Sequence, residues 1–250
     1  MRTVPRAIAF SFLQHVLRTA RGRTIVLPAL IITLVLAVLV GMRGGMQLGA
    51  IPLQDGFSVA IFGVIMAFMS VVQLWMNQFA IDRAGLTLLC VQPLTGRQIL
   101  RGKMKGAAAL VAGLAALPVT AGLMIGRADH PAYWGILILG AVAAFLILAP
   151  LAALLSVFFP KLVDMSSIGQ KSNAHPAAGL LGGLLTVAAV VPPVAAAVIG
   201  FRFLHSPSAA VGLAAGWLVL AWLLHLLLSK AAVAAFERRR ESLVSVAMGR

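Results

Sequence analysis

The chain has 250 residues, 61% hydrophobic and only 10% charged, with a formal net charge of +14 and a mean hydropathy of +1.03. A soluble domain carries about 25% charged residues, so a water-soluble globular fold is excluded and an all-α integral membrane protein is expected. A single cysteine, Cys90, excludes an internal disulfide.

Residues 5–22 have helical periodicity. Ala9, Phe12, Leu13, Val16, Leu17 and Ala20 share one face, and Ser11, Gln14, His15 and Arg18 share another. The pattern predicts an amphipathic helix within 1–23 that lies in the membrane interface, its basic residues toward anionic lipid. Six stretches without Lys, Arg, Asp or Glu follow, at about 24–42, 57–79, 106–126, 132–159, 176–200 and 209–229. Each can supply the roughly 20 residues that a helix needs to cross a bilayer. Each is expected to be helical there, because lipid offers the backbone no hydrogen-bond partner. The first reads as an uncleaved anchor, since its basic preamble is long and no small-x-small site follows. One domain is expected over 1–250, ending in a tail at 230–250.

Trp75 near the end of the second span, and Tyr133 and Trp134 at the start of the fourth, suit interface depth, with a place in the bundle core the alternative for each. The third span is rich in Gly and Ala, as is the fifth, which predicts close helix packing. Pro192-Pro193 fall late in the fifth span. From Pro176 to Val191 there are only 16 residues, about 24 Å of helix. A break at the prolines therefore predicts a short re-entrant or outer-leaflet helix within 194–205, the alternative being one span with a kink. Polar groups within the spans, such as Thr33, Ser70, Gln73 and Thr120, can be bonded inside the bundle. His225 is the sole candidate for an ionisable group in a span, which disfavours ion-coupled transport.

Seventeen of the 20 Lys and Arg residues fall in 1–23, 80–105, 160–175 and the tail, leaving Arg43, Arg127 and Arg202 for the other side. Basic loops stay in the cytoplasm, so both termini are expected there. The charge is then topogenic, and no nucleic-acid partner is expected.

The loop at 80–105 is the most informative segment. Asp82 and Arg83 end the second span, and Gly85 and Pro93 bracket L-T-L-L-C-V. Thr95 with Gln98 makes a T-x-x-Q capping box, which starts a helix through Arg97, Ile99, Arg101 and Lys103. Leu86, Leu88 and Leu89 are expected to form an apolar face rimmed by Asp82, Arg83, Arg97, Arg101 and Lys103, a surface suited to a protein partner. No catalytic motif accompanies it. The nearest approach to a P-loop, from Gly96, has five residues between its glycines where four are needed, and Met104 where Ser or Thr should hold magnesium. No H-E-x-x-H, paired-cysteine set or G-x-S-x-G occurs, so the chain is not expected to be an enzyme or to bind a cofactor itself.

At this loop the sequence resembles the permease subunits of ABC exporters, the second, exporter-type class of ABC permeases. Asn77, Phe79, Asp82, Arg83, Gly85, Leu86, Leu89, Pro93, Arg97, Ile99, Leu100, Gly102 and Lys103 match the pattern of that family after its second span. Ser156, Pro160, Lys161 and Asp164 after the fourth span are also similar, while Ala80 stands where members often have Gly. The resemblance implies a bacterial cytoplasmic (inner) membrane protein that pairs with a second permease chain, as homodimer or heterodimer. It implies two separate ATPase subunits that carry the ATP and Mg, with Asp82, Arg83, Gly85, Leu86, Leu89, Pro93, Arg97, Arg101 and Lys103 in the loop that couples to them. Some relatives are about twice as long, which leaves half of a larger permease as an alternative. Rival readings are an ion-coupled secondary transporter and a non-transporting membrane scaffold or assembly protein.

Overall fold

The computed structural model describes residues 3–49, 51–82, 84–126, 131–161 and 175–247. Among them are nine α-helices: α1 (Thr3–Arg18), α2 (Ala20–Arg43), α3 (Gly56–Trp75), α4 (Ala84–Val91), α5 (Gly96–Ile125), α6 (Pro131–Phe158), α7 (Pro176–Val198), α8 (Pro207–Arg238) and α9 (Arg240–Ala247). Five of these, α2, α5, α6, α7 and α8, are long and apolar enough to cross a membrane. The 20 residues of α3 form a shorter apolar helix of about 30 Å.

Burial in this bundle runs opposite to that of a soluble protein. Leu180, Leu184, Val187 and Val191 of α7 are exposed, whereas Ala178, Gly182 and Ala189 of the same helix are buried. In α8 the buried positions are Ala210, Ala214, Ala221, Ala232 and Phe236, with Leu220, Trp222 and Leu223 outside. Small residues let backbones approach, and lipid tails solvate the large ones. The polar side chains act locally. Thr33 Oγ1 donates to the Ala29 carbonyl, Ser70 Oγ to Ala67 and Thr120 Oγ1 to Ala116, each within its own helix. The side chain of Gln73 lies outside the described ones.

Helices α3 and α5 cross where Gly56 meets Gly122. A Cβ on either would strike the other's carbonyl oxygen. Near this end the chain also forms a strand pair that the all-α expectation lacks. β1 (Met46–Leu48) and β2 (Ile51–Leu53) pair antiparallel, Met46 opposite Leu53, and Leu53 is buried with Leu36, Val40 and Val59. At the opposite end gather α1, α4, α9, the start of α5 and the ends of α3, α6 and α8. The described basic residues other than Arg43 and Arg202 belong to this end.

Four expectations are corrected or decided by the structure. First, Pro192-Pro193 do not break the fifth span. Helix α7 continues through them to Val198 and widens into a π-turn over Ile199–Phe203, so no separate re-entrant helix forms within 194–205. Two missing N–H donors do not end a helix whose neighbours hold it. Pro193 packs on Gly140 of α6, where a Cβ would come within 2.9 Å of it, and Ala189 and Ala196 on either side are buried. Second, the helix expected to 79 ends at Trp75: the chain tightens into turns, with Asn77 N–H donating to the Leu74 carbonyl and Gln78 N–H to the Trp75 carbonyl. Third, of the two places open to Trp75 the structure takes the bundle core. It lies edge-on to Phe68 and Phe145 and is buried. Fourth, the apolar face of α1 meets protein rather than lipid: Ile8, Phe12 and Val16 turn onto the bundle. It docks on α5 through Gly102 and Gly106, where a Cβ would come within 2.6 Å of Ile8 and 2.8 Å of Phe12 respectively.

Candidate coupling site at the basic end

After Trp75 the chain leaves the bundle through a short connection tied to α6. The Asn77 side chain donates to the Lys161 carbonyl at 2.6 Å and accepts from the Lys161 N–H at 3.0 Å. Phe79 N–H donates to Ser156 Oγ at 3.0 Å. A 3₁₀ turn over Ala80–Asp82 follows, then α4. Gly96 opens α5 behind the capping box that the sequence foretells: Thr95 Oγ1 accepts from Gln98 N–H, and the Gln98 side chain accepts from Thr95 N–H at 2.9 Å.

The loop residues divide into three groups. Asp82 and Lys103 form an ion pair, with Asp82 13% and Lys103 2% exposed. Lys103 also lies over the Phe12 ring at 5.1 Å. The pair is therefore structural cement between the 3₁₀ turn, α5 and α1, and does not form part of an exposed charged rim. Leu86 is fully buried, packed with Ile99, Leu100, Phe236 and Leu243, so the apolar face expected from Leu86, Leu88 and Leu89 is not a single exposed surface. Leu89 is half-buried, while Leu88 is 62% and its neighbour Val91 79% exposed. Gly85 and Pro93 are exposed beside them. Arg97 and Arg101 face away from α4 into a cleft against α8. Arg83 lies outside the described residues, as does Asp164.

A cavity of about 440 Å³ lies between α1, α4 and α5, with His15, Asp82, Lys103, Gln92 and Leu89 among its walls. Burial lowers the His15 pKa from its ordinary value, nearby Lys103 pushes the same way and Asp82 opposes. His15 is then neutral at pH 7, with its Nε2 buried and without a hydrogen-bond partner among the described residues. Burial likewise raises the Cys90 thiol, against the contrary pull of Arg240.

Sequence reasoning missed the tail. The end of α8 and helix α9 cover the loop, with Phe236 of α8 against Phe79 at 4.8 Å and Leu243 of α9 in the cluster that buries Leu86. Glu237 accepts from Gly96 N–H, and Arg240 donates to the Cys90 carbonyl. The signal available was the spacing of Phe236 and Leu243, two turns apart within an otherwise charged run. Among the described residues no group of His, Cys, Asp or Glu is arranged to hold a metal ion.

Together these features define an α-helical integral membrane protein whose basic end carries a packed, non-spanning layer. No family model matches the chain, and no curated protein or solved structure is significantly similar to it.

Proposed function

We propose that the chain is the permease subunit of an ATP-driven ABC exporter. In this reading α3 is a sixth span, and both termini and the basic end face the cytoplasm of a bacterial inner membrane. A second permease chain completes the substrate path. Two separate ATPase subunits dock on the basic end and bind the ATP and Mg.

The carrying observation is α4. It is a short apolar helix outside the long helices, fixed from below by Leu86 and the Asp82–Lys103 pair, with Val91 turned outward and Leu88 exposed beside the cavity against α1. A rigid apolar knob beside a basic surface suits a partner that must push on the bundle. The resemblance over 77–103 supports the same reading. Within it, Asn77, Asp82, Gly102 and Lys103 hold the loop in place, and Leu88 and Val91 are its contact surface.

The test is to make Leu88→Asp and Val91→Asp, both at exposed positions. Membrane levels should match the parent, while co-purification of a P-loop ATPase, identified by mass spectrometry, falls at least about tenfold, the equivalent of 1.4 kcal/mol. Full retention of the ATPase by both variants would sink the coupling role of α4. The sidedness has its own check in a Cys90→Ser background. A cysteine at Leu48 should react with a membrane-impermeant maleimide from outside intact cells, and one at Gln92 only after lysis. Outside labelling at Gln92 would reverse the proposed orientation.

A further inference from the structure

A cleft of about 680 Å³ opens between α5, α6 and α8 at the basic end. Arg97, Arg101 and Lys105 line one wall at four-residue spacing along α5, and Lys230 faces them from α8. No acidic residue lines the cleft. All four basic residues are exposed, and none of them forms an ion pair among the described residues. Glu237, further along α8, is engaged by Gly96 N–H and lies 3.7 Å from Arg240. Like charges four residues apart on a helix repel by a few tenths of a kcal/mol per pair. Three in register opposite a fourth make a site that lacks its counter-charge.

The remaining wall is apolar. Met104, Phe145, Leu146, Leu226 and Val233 contribute to it. Ser229 also lines the cleft, and its hydroxyl is buried without a hydrogen-bond partner among the described residues. Deeper still, His225 Nδ1 lies 2.8 Å from the Leu146 carbonyl, which closes the inner end of the cleft by joining α8 to α6. The depth is set by the sequence. Lys105 immediately precedes the uncharged stretch of α5, and Lys230 immediately follows that of α8. Lys105 and Lys230 therefore stand at headgroup level, with Arg101 and Arg97 one and two turns further toward water, and Phe145, Leu146 and Leu226 run from them toward the acyl chains.

We propose that this cleft is a binding site for one anionic phospholipid. Lys105, Lys230 and Arg101 hold the phosphate headgroup, Arg97 adds positive charge at its outer edge, and one acyl chain lies along Phe145, Leu146 and Leu226. The apolar wall decides between sources of the phosphate. A soluble phosphate or nucleotide would satisfy the cations but leave that wall uncovered, whereas a lipid covers both. The assignment needs only that the chain is membrane-embedded and does not depend on the exporter reading.

The experiment is native mass spectrometry of the purified full chain in detergent, titrated with dioleoyl phosphatidylglycerol, with dioleoyl phosphatidylcholine, or with inorganic phosphate. The parent should retain one phosphatidylglycerol in preference to phosphatidylcholine, and millimolar phosphate should not displace it. Arg101→Gln/Lys105→Gln should weaken that retention about 30-fold, on the usual contribution of a basic residue near anionic lipid. The charge-matched control Arg6→Gln/Arg18→Gln, at exposed positions on α1, should change it less than about threefold. Equal retention of the two lipids overturns the proposal without any variant. Equal losses in the two double variants overturn it in favour of diffuse charge attraction. Displacement by phosphate at the concentrations at which the lipid binds overturns it in favour of a soluble anion.

Discussion

Asp82→Asn is expected to destabilise the folded chain by about 3–5 kcal/mol, the largest effect of any single polar substitution at the basic end. The change is nearly isosteric, so packing hardly alters. What it removes is the counter-charge of Lys103, an ammonium that is 2% exposed and that its remaining aromatic neighbour, Phe12, compensates only in part. A buried charge without its partner is far more costly than no charge at all. The double variant Asp82→Asn/Lys103→Met removes both charges and keeps the volume of the long side chain over Phe12. It should recover most of the loss. Thermal unfolding of the four proteins in one detergent gives the double-mutant cycle. A near-zero interaction energy would mean that the pair is not structural. Because Lys103 is one of the positions that resemble the exporter permeases, the cycle also separates a positioning role from a contact with a partner.

The second large effect concerns the crossing of α3 and α5. Gly122→Val should cost about 3 kcal/mol or more, the upper range for overpacking, because its Cβ would meet the Gly56 carbonyl, and that atom belongs to backbone that cannot rotate aside. Gly113 is the internal control. It lies in the same helix, and a Cβ there meets nothing within 4 Å. Gly113→Ala should be neutral or stabilising by up to about 1 kcal/mol, since alanine loses less backbone entropy in a helix. Folded yield and thermal midpoint measured side by side decide it. If both variants behave alike, the helices part readily at Gly122 and the close crossing is not a constraint.

Hydropathy located the long helices to within a few residues at most ends, because desolvated backbone has almost no choice but the helix. It failed where tertiary contacts decide. The connection after α3 is tied down by Asn77 bonding to Lys161, 84 residues away, which no local pattern encodes. The α1 periodicity identified Phe12 and Val16 as partners on one face, but it was silent on whether that face meets lipid or protein, since both are apolar. The same ambiguity misassigned Leu86. Only the position of Leu243 beneath it shows that the outward residues of α4 are Leu88 and Val91. The capping box at Thr95 was legible because its hydrogen bonds span only three residues. The ion pair was half legible: Asp82 and Lys103 were both singled out, but as separate surface charges.

The packing of α9 under the loop has a consequence for how the protein is made. Four contacts on the basic end come from the end of α8 and from α9: Phe236 on Phe79, Glu237 on Gly96, Arg240 on Cys90, and Leu243 in the cluster around Leu86. A nascent chain halted before residue 236 would already have nearly all of its long apolar helices and could sit in the bilayer. It would still leave Leu86 and Ile99 uncovered on the basic end. Such a fragment would be inserted yet would carry exposed apolar surface and unsatisfied polar groups that the tail covers in the intact protein, an opening for proteases at the membrane surface.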